Sequence, residues 1–198
     1  MSRVGILGGT FNPPHLGHLQ CARQAQAELG LDRVLIVVAA VPPHKEIPDD
    51  PGVGHRLAMA RLLADAETWL EICELEVRRE GPSYTITTLR EIHAGQPGDE
   101  LTLIVGGDMA FSLPTWHQPE AILGLASVAV AERSGMRRAE VVDQLRSLTG
   151  GERVRFLDMP RLDVSSSLVR RRVADGQQIR DLVPNAVADY IEQRRLYA

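Results

Sequence analysis

The sequence predicts an α/β fold in which helices cover both faces of a doubly wound parallel sheet. Two apolar runs, residues 3–8 and 33–40, have the composition of strands that are buried on both faces. A segment with helical spacing, residues 17–29, lies between them and is followed by Gly30, a typical left-handed helix cap. A strand, a helix and a second strand in this order predict a parallel crossover unit.

The rest of the chain continues this alternation. We expect further strands at residues 69–75, 101–105, 126–132 and 154–157, and helices at 55–66, 84–94, 141–148, 166–174 and 184–194. Such an order is typical of a Rossmann-like sheet, whose ligand crevice lies beyond the carboxyl ends of the strands. Since 198 residues with 44% hydrophobic content can bury one sizeable core, we expect a single domain spanning residues 1–198.

The composition excludes several classes of protein. A formal net charge of -4 argues against a protein that coats nucleic acid, because such proteins need clustered excess base. Cys21 and Cys73 have neither CxxC nor zinc-site spacing, as is usual in a reducing compartment. No signal-peptide core begins the sequence, and no apolar run approaches the ~18 residues of a membrane-spanning helix. We therefore expect a cytoplasmic protein with no membrane and no nucleic-acid partner.

The segment after the first strand, GGTFNPPHLGH, carries the clearest chemical signal. Gly8 and Gly9 allow a ligand to approach the backbone, and a helix starting near Gly17 would direct free N–H groups toward it. His15 and His18 straddle this helix start and can donate hydrogen bonds to phosphate oxygens. The segment matches neither the dinucleotide nor the P-loop fingerprint. It predicts an anion site; the alternative is one solvent-facing histidine and one that ligates a metal or packs in the core.

This segment resembles the signature of the nucleotidylyltransferase superfamily, in which H-x-G-H follows G-G-x-F-[DN]-P. The chain as a whole is similar to the bacterial nicotinate-nucleotide adenylyltransferase family. Further blocks carry the resemblance: PPHK at 42–45, SYT at 83–85, GGD at 106–108, VSSS at 164–167, and VP at 183–184 with YI at 190–191. The resemblance implies a sheet of the nucleotidylyltransferase type and transfer of AMP from ATP to nicotinate mononucleotide in NAD biosynthesis, with Mg²⁺ carried on ATP.

The resemblance also implies which residues bind ATP. These come from both ends of the chain: Gly8, Gly9, Thr10, Phe11, His15, His18, Ser165, Ser166, Ser167 and Arg170. His15, His18, Lys45 and Arg170 are the expected catalytic residues, because they would stabilise the reacting phosphates and the leaving pyrophosphate. The serines are also ordinary helix N-cap residues, and a lysine in a proline-rich loop is more often simply solvated.

The acceptor is expected to meet a second set of residues. By resemblance these are Asn12, Lys45, Tyr84, Thr85, Thr88, Gly106, Asp108 and Trp116, with the tryptophan stacked on the nicotinate ring. A tryptophan that anchors a lid on the core and an aspartate that caps a helix are the plainer interpretations. Many relatives carry aspartate where this chain has Asn12, and asparagine holds a metal ion less tightly. No metal ligand is therefore expected from the protein itself.

Other functions stay open at this point. The acceptor could instead be nicotinamide mononucleotide, phosphopantetheine or FMN, and the fold could serve a nucleotide-binding sensor without catalysis. A sensor has no need of residues that contact the leaving group, which weighs against it. An oxidoreductase would need a glycine fingerprint that is missing from the sequence. A homo-oligomer is left open, since no self-complementary surface can be read from the chain.

Overall fold

Six parallel strands form one sheet in the order β3-β2-β1-β4-β5-β6. The computed structural model describes residues 1–43, 46–131, 138–160 and 162–198. The strands are β1 (Arg3–Gly9), β2 (Arg33–Val38), β3 (Leu70–Cys73), β4 (Glu100–Gly106), β5 (Ala126–Ala131) and β6 (Val154–Leu157). From β1 the chain builds outward through β2 and β3, then returns to place β4 on the other side of β1. This reversal puts a crevice beyond the carboxyl ends of β1 and β4.

The helices among the described residues connect these strands and cover both faces of the sheet. They are α1 (Leu16–Leu29), α2 (Val53–Ala64), α3 (Leu75–Arg78), α4 (Thr85–Gly95), α5 (Gly107–Ser112), α6 (Pro119–Leu125), α7 (Arg138–Arg146), α8 (Ser166–Ala174) and α9 (Asn185–Arg194), with a 3-10 turn at Leu113–Thr115. Within the described part of the chain, none of them has the length and apolar composition needed to cross a membrane.

The sheet separates two hydrophobic clusters. Val4 and Ile6 of β1 belong to one cluster, with α4, α6 and α7, while Leu7 belongs to the other, with α1, α2 and α9. Successive side chains of a strand point to opposite faces, so a strand covered on both sides is apolar throughout. This explains why β1 and β2 contain long apolar runs, whereas the edge strands β3 and β6 each contain a charged residue.

The predicted fold class, a doubly wound parallel α/β sheet, is confirmed, and every predicted strand is present. The expected strand at 126–132 is observed as Ala126–Ala131, and its last residue lies outside the described residues. The expected strand at 69–75 is shorter, since the chain turns into α3 at Leu75. The short helices α5 and α6 were not predicted from the sequence, because Gly and Pro interrupt the helical periodicity there.

Candidate active site

A cleft of about 610 Å³ lies beyond the carboxyl ends of β1 and β4. Its walls include the glycines that end both strands and the residues that open α1 and α4. Nine of the predicted site residues line it: Gly8, Gly9, Thr10, His18, Tyr84, Thr85, Thr88, Gly106 and Trp116. Gly17, near the start of α1, lines it as well. The cleft therefore brings together the first loop and the two later blocks that the sequence singled out.

The two histidines form a stacked pair at the start of α1. His15 is the N-cap residue of the helix and is 3% exposed, while His18 lines the cleft. Their ring centroids lie 3.8 Å apart with 30° between the planes. The backbone N–H of His15 donates to Nδ1 of His18 at 3.2 Å. Because Nδ1 is the acceptor, the neutral His18 ring carries its hydrogen on Nε2, which is then a hydrogen-bond donor for a ligand.

Close packing behind this pair requires glycine at position 17. A Cβ placed on Gly17 would lie 3.0 Å from Cε1 of His15 and 3.0 Å from Cγ1 of Val164. Real Cβ atoms rarely come so near, so any side chain here would push apart the histidine ring and the segment before α8. On the other side of His18, the buried ring of Phe11 lies 4.9 Å away between centroids. The His18 ring is thus held between neighbours on two sides.

The start of α8 is fastened to the loop after β1. Ser165 caps the helix by accepting from the backbone N–H of Leu168 at 3.2 Å, and Ser166 Oγ donates to the Pro13 carbonyl at 2.8 Å. Arg170 Nη1 donates to the Asn12 carbonyl at 2.9 Å. The predicted serine and arginine block therefore lies beside the histidine loop, although its residues are not among those lining the cleft. Ser167 is exposed in the first turn of the helix.

Both polar atoms of the Asn12 side chain form hydrogen bonds within the protein. Nδ2 donates to the carbonyl of Pro48 at 2.7 Å, and Oδ1 accepts from the hydroxyl of Tyr197 at 2.7 Å. The side chain is 2% exposed. The expected contact between Asn12 and the acceptor stays a prediction, and in this structure the side chain joins parts of the chain that are distant in sequence.

On the opposite wall, aromatic rings lie next to the start of α4. The Tyr84 ring lies 4.5 Å from the His117 ring between centroids, and Trp116 Nε1 donates to Ser112 Oγ at 3.2 Å. Tyr84, Trp116 and His117 all line the cleft. This wall offers flat apolar faces with polar edges, the usual surface for a heteroaromatic ring.

The structure describes the surroundings of two further predicted acceptor residues. Thr88, 2% exposed, donates to Glu76 Oε1 at 2.6 Å and accepts from Arg79 Nη2 at 3.1 Å. Asp108 is exposed in the first turn of α5 and is not among the residues that line the cleft. Lys45, expected to contact the phosphates, lies outside the described residues.

Sequence reasoning missed Arg56, a fully buried arginine of α2. Its Nη1 donates to the carbonyls of Thr10 at 2.9 Å and Ala39 at 2.6 Å, and its Nη2 donates to that of Ala40 at 3.2 Å. Its Nε pairs with Asp50 Oδ1 at 2.9 Å. The guanidinium therefore joins the loops that follow β1 and β2. An arginine in a helix is usually solvated, so no local signal could have identified it.

Comparison with known proteins agrees with this geometry. The model of the Cytidylyltransferase-like family matches residues 6–172. A protein of Trichlorobacter lovleyi named "Probable nicotinate-nucleotide adenylyltransferase" is 40% identical, over 98% of this chain and 99% of its own length. A protein of Synechococcus sp. with the same name is 43% identical, over 98% of this chain and 94% of its own. The chain belongs to the nicotinate-nucleotide adenylyltransferase family. The membership that the motifs predicted is thereby confirmed.

Solved structures extend the agreement to the fold. The Plasmodium falciparum nicotinic acid mononucleotide adenylyltransferase complexed with NaAD is similar over 100% of this chain and 98% of its own, with a TM-score of 0.81 and 18% identity. The same enzyme complexed with APC has a TM-score of 0.77. At this level of identity the likeness concerns the fold. It shows that this nicotinate-nucleotide adenylyltransferase family member has the α/β sheet of the nucleotidylyltransferase type.

Proposed function

We propose that the chain transfers the adenylyl group of ATP to nicotinate mononucleotide, giving nicotinate adenine dinucleotide and pyrophosphate in NAD biosynthesis. The observation that carries this proposal is the placement of His18, which lines the cleft beside Gly8 and Gly9 and has its Nδ1 occupied by the His15 backbone. A neutral His18 then has an N–H group for a phosphate oxygen. The relatives are about 40% identical over nearly the whole chain, and their names indicate the substrates.

The reaction is an in-line displacement at phosphorus. A phosphate oxygen of the mononucleotide forms a bond to the α-phosphorus of ATP while the bond from that phosphorus to the bridging oxygen breaks. Pyrophosphate leaves with the electron pair of the broken bond. Because the attacking oxygen is already anionic, the step needs no general base and no covalent enzyme intermediate. Catalysis then consists of positioning and of stabilising the charge that develops on the phosphoryl oxygens.

The residues of the first loop supply this positioning around the α-phosphate. His18 donates from Nε2 to a phosphoryl oxygen, and the stacked His15 ring fixes its orientation. Among the described residues, apart from the chain neighbours of Gly8, no atom lies within 4 Å of where a Cβ on Gly8 would be, so a phosphate has open space directly above the backbone. The amides at the start of α1 add the positive end of the helix dipole to the same region.

The leaving pyrophosphate is assigned to Arg170, to the amides at the start of α8, and to Lys45. The Arg170 side chain is 12% exposed and its Nε pairs with Asp49 Oδ2 at 3.1 Å. Asp49 is 69% exposed, so its contact can be exchanged for a phosphate oxygen at little cost. On this assignment the arginine passes from a loop carboxylate to the triphosphate as ATP binds.

A divalent cation is expected to arrive with ATP. Among the described residues, no three or more His, Cys, Asp or Glu side chains are grouped so that they could hold a metal ion. Mg²⁺ is commonly held by substrate phosphates with few protein ligands, which fits such a site. The ion would neutralise charge on the phosphates of the leaving group.

The acceptor is assigned to the opposite wall of the cleft. The nicotinate ring would lie against Trp116 and the Tyr84 and His117 pair, with its carboxylate toward the amides that open α4 at Thr85. Gly106, at the end of β4, leaves room for the ribose, with Asp108 as its proposed contact. Preference for the acid over the amide would come from those α4 amides, which attract a carboxylate more strongly than a neutral amide.

We place this reaction in a single domain and in the cytoplasm. Both hydrophobic clusters lie against the same sheet, which supports one folding unit. Cys21 and Cys73 have neither CxxC nor zinc-site spacing, as expected in a reducing compartment.

A pyrophosphate-release assay with ATP, Mg²⁺ and a panel of acceptors tests the proposal. Nicotinate mononucleotide should give the highest kcat/KM among the acid and amide mononucleotides, phosphopantetheine and FMN. His18→Ala should lower kcat by about 10²-fold, or about 3 kcal/mol, because one charge-stabilising donor is lost. His93→Ala, in the last turn of α4, is the matched control and should leave kcat unchanged. ATP binding without pyrophosphate release with any acceptor would overturn the proposal and favour a sensor.

A further inference from the structure

The segment after α9 returns to the loop after β1. Leu196 is buried in the hydrophobic cluster that contains α1, and the next residue, Tyr197, places its hydroxyl 2.7 Å from Oδ1 of Asn12. These two residues are 185 positions apart in the sequence. Tyr197 also has a positive φ of 63°, a conformation that non-glycine residues seldom adopt. Because Leu196 is buried, it positions the neighbouring Tyr197 so that its side chain contacts the loop after β1.

The hydrogen-bond partners of Asn12 allow only one orientation of its side-chain amide. The Pro48 carbonyl, 2.7 Å away, can only accept, so the amide nitrogen of Asn12 must face it. The amide oxygen therefore faces Tyr197, whose hydroxyl must donate. Burial raises the pKa of this hydroxyl, so it keeps its proton throughout the neutral and moderately alkaline range. The Pro48 carbonyl thus sets the orientation of the Asn12 amide, and Tyr197 supplies the donor that holds its oxygen in place.

Asn12 in turn contacts two parts of the proposed phosphate site. Its backbone carbonyl accepts from Arg170 Nη1 at 2.9 Å, and its side chain holds the loop that contains Pro48. The neighbouring residue of that loop, Asp49, accepts from Nε of the same arginine. The loop follows directly on the block that contains Lys45. One asparagine therefore connects Arg170 with the loop at residues 46–50.

We propose that Tyr197 is a positioning residue for adenylyl transfer: through Asn12, it fixes the Arg170 guanidinium and the loop at residues 46–50 in the arrangement that receives the triphosphate of ATP. This inference rests on the proposed function. Tyr197 does not contact substrate, and it acts by holding the Asn12 side chain in place through its oxygen. Without the hydroxyl, the buried Asn12 oxygen loses this donor, and the side chain would shift toward another donor and weaken its hold on the Pro48 carbonyl.

The direct test is Tyr197→Phe, which removes only the hydroxyl. Its matched control is Tyr190→Phe in α9, which removes a hydroxyl that lies 2.9 Å from His55 Nδ1. We expect Tyr197→Phe to lower kcat/KM for ATP by about tenfold to a hundredfold, since small displacements of catalytic groups cost that much. The KM for nicotinate mononucleotide should stay within about twofold, because the acceptor wall is formed by other residues. Tyr190→Phe should match the wild type in both constants.

A double-mutant cycle separates positioning from general stability. If Tyr197 acts through Asn12, then Tyr197→Phe should have little further effect on kcat/KM for ATP in an Asn12→Ala background. Thermal unfolding of each variant shows whether the fold is intact. Independent, multiplicative effects of the two substitutions would overturn the proposal, and so would a Tyr197→Phe enzyme that matches Tyr190→Phe.

Hydrogen exchange gives a readout that does not depend on turnover. The amide of Gly52 donates to Asp50 Oδ1 at 2.9 Å, and together with the other amides of residues 46–52 it should exchange faster in Tyr197→Phe than in Tyr190→Phe. Equal exchange in the two variants would overturn the inference while leaving the proposed function standing. A wild-type chain that releases no pyrophosphate with any mononucleotide would instead overturn the proposed function, and with it the catalytic role of Tyr197.

Discussion

Replacement of Arg56 tests whether its buried guanidinium stabilises the loops that follow β1 and β2. Its side chain is 1% exposed, and its three nitrogens serve the carbonyls of Thr10, Ala39 and Ala40 and the carboxylate of Asp50. Arg56→Lys keeps the positive charge but replaces a planar fork of donors by a single ammonium nitrogen. Arg56→Met keeps much of the volume and removes every donor.

The magnitudes follow from the groups that lose a partner. The guanidinium serves four acceptors, whereas one ammonium nitrogen carries three hydrogens, so Arg56→Lys leaves at least one of these acceptors without a donor. An unsatisfied buried polar group costs about 1–3 kcal/mol, so we expect that decrease in the free energy of unfolding. Arg56→Met also leaves Asp50 without its ion-pair partner. Removal of one partner from a buried pair costs about 3–5 kcal/mol, and the partial exposure of Asp50 places the expected decrease toward the lower value.

Urea unfolding of both variants measures these losses. The control is Arg23→Lys, whose parent arginine is 47% exposed and paired with Glu67 at 2.7 Å. An exposed pair contributes about 0–1 kcal/mol, so this control should unfold near the wild type. The kcat of Arg56→Lys should also fall, because Thr10 belongs to the loop that we propose to meet the phosphates. If Arg56→Lys were as stable as Arg23→Lys, the argument from the guanidinium contacts would be refuted.

Two further predictions concern single positions. Gly17→Ala should lower kcat by about tenfold or more, because its Cβ would lie 3.0 Å from the His15 ring and displace the histidine pair. The control is Gly124→Ala, whose Cβ would have no atom within 4 Å in the described parts of the chain outside its own helix backbone. Equal kcat values for the two variants would contradict the prediction. Burial raises the pKa of the Cys73 thiol, so its thiolate fraction at about pH 8 is smaller than that of an exposed cysteine. Iodoacetamide should therefore label Cys73 more slowly than a cysteine peptide at that pH, with the difference narrowing as pH rises, and equal rates would speak against the burial.

The sheet could be predicted because its signal is local. A strand buried on both faces is an uninterrupted apolar run, and β1, β2 and β4 each show one that ends in glycine or small residues. The histidine loop could be predicted for a similar reason. GGTFNPPHLGH places its glycines and histidines within eleven consecutive residues, so their meeting at one helix start does not depend on the rest of the fold.

The short helices were harder to predict than the strands. Residues 107–125 contain α5, the 3-10 turn and α6, each of seven residues or fewer. Helices of this length gain little from propensity and form because Ala110, Ile122 and Leu123 are buried against the sheet. Their existence follows from tertiary packing, and Trp116 owes its place in the cleft wall to the same packing.

By itself, the sequence determined the order of the strands and of the longer helices, the family, and the group of residues that we propose to meet the phosphates, since neighbouring residues carry each of these signals. The tertiary structure alone decided how that group is held. Arg170 meets Asn12 across 158 positions and Tyr197 meets it across 185, while Arg56 joins two strand ends from a third element. A side chain's partner across such distances depends on where the whole sheet places its loops, and no local pattern of residue types records it.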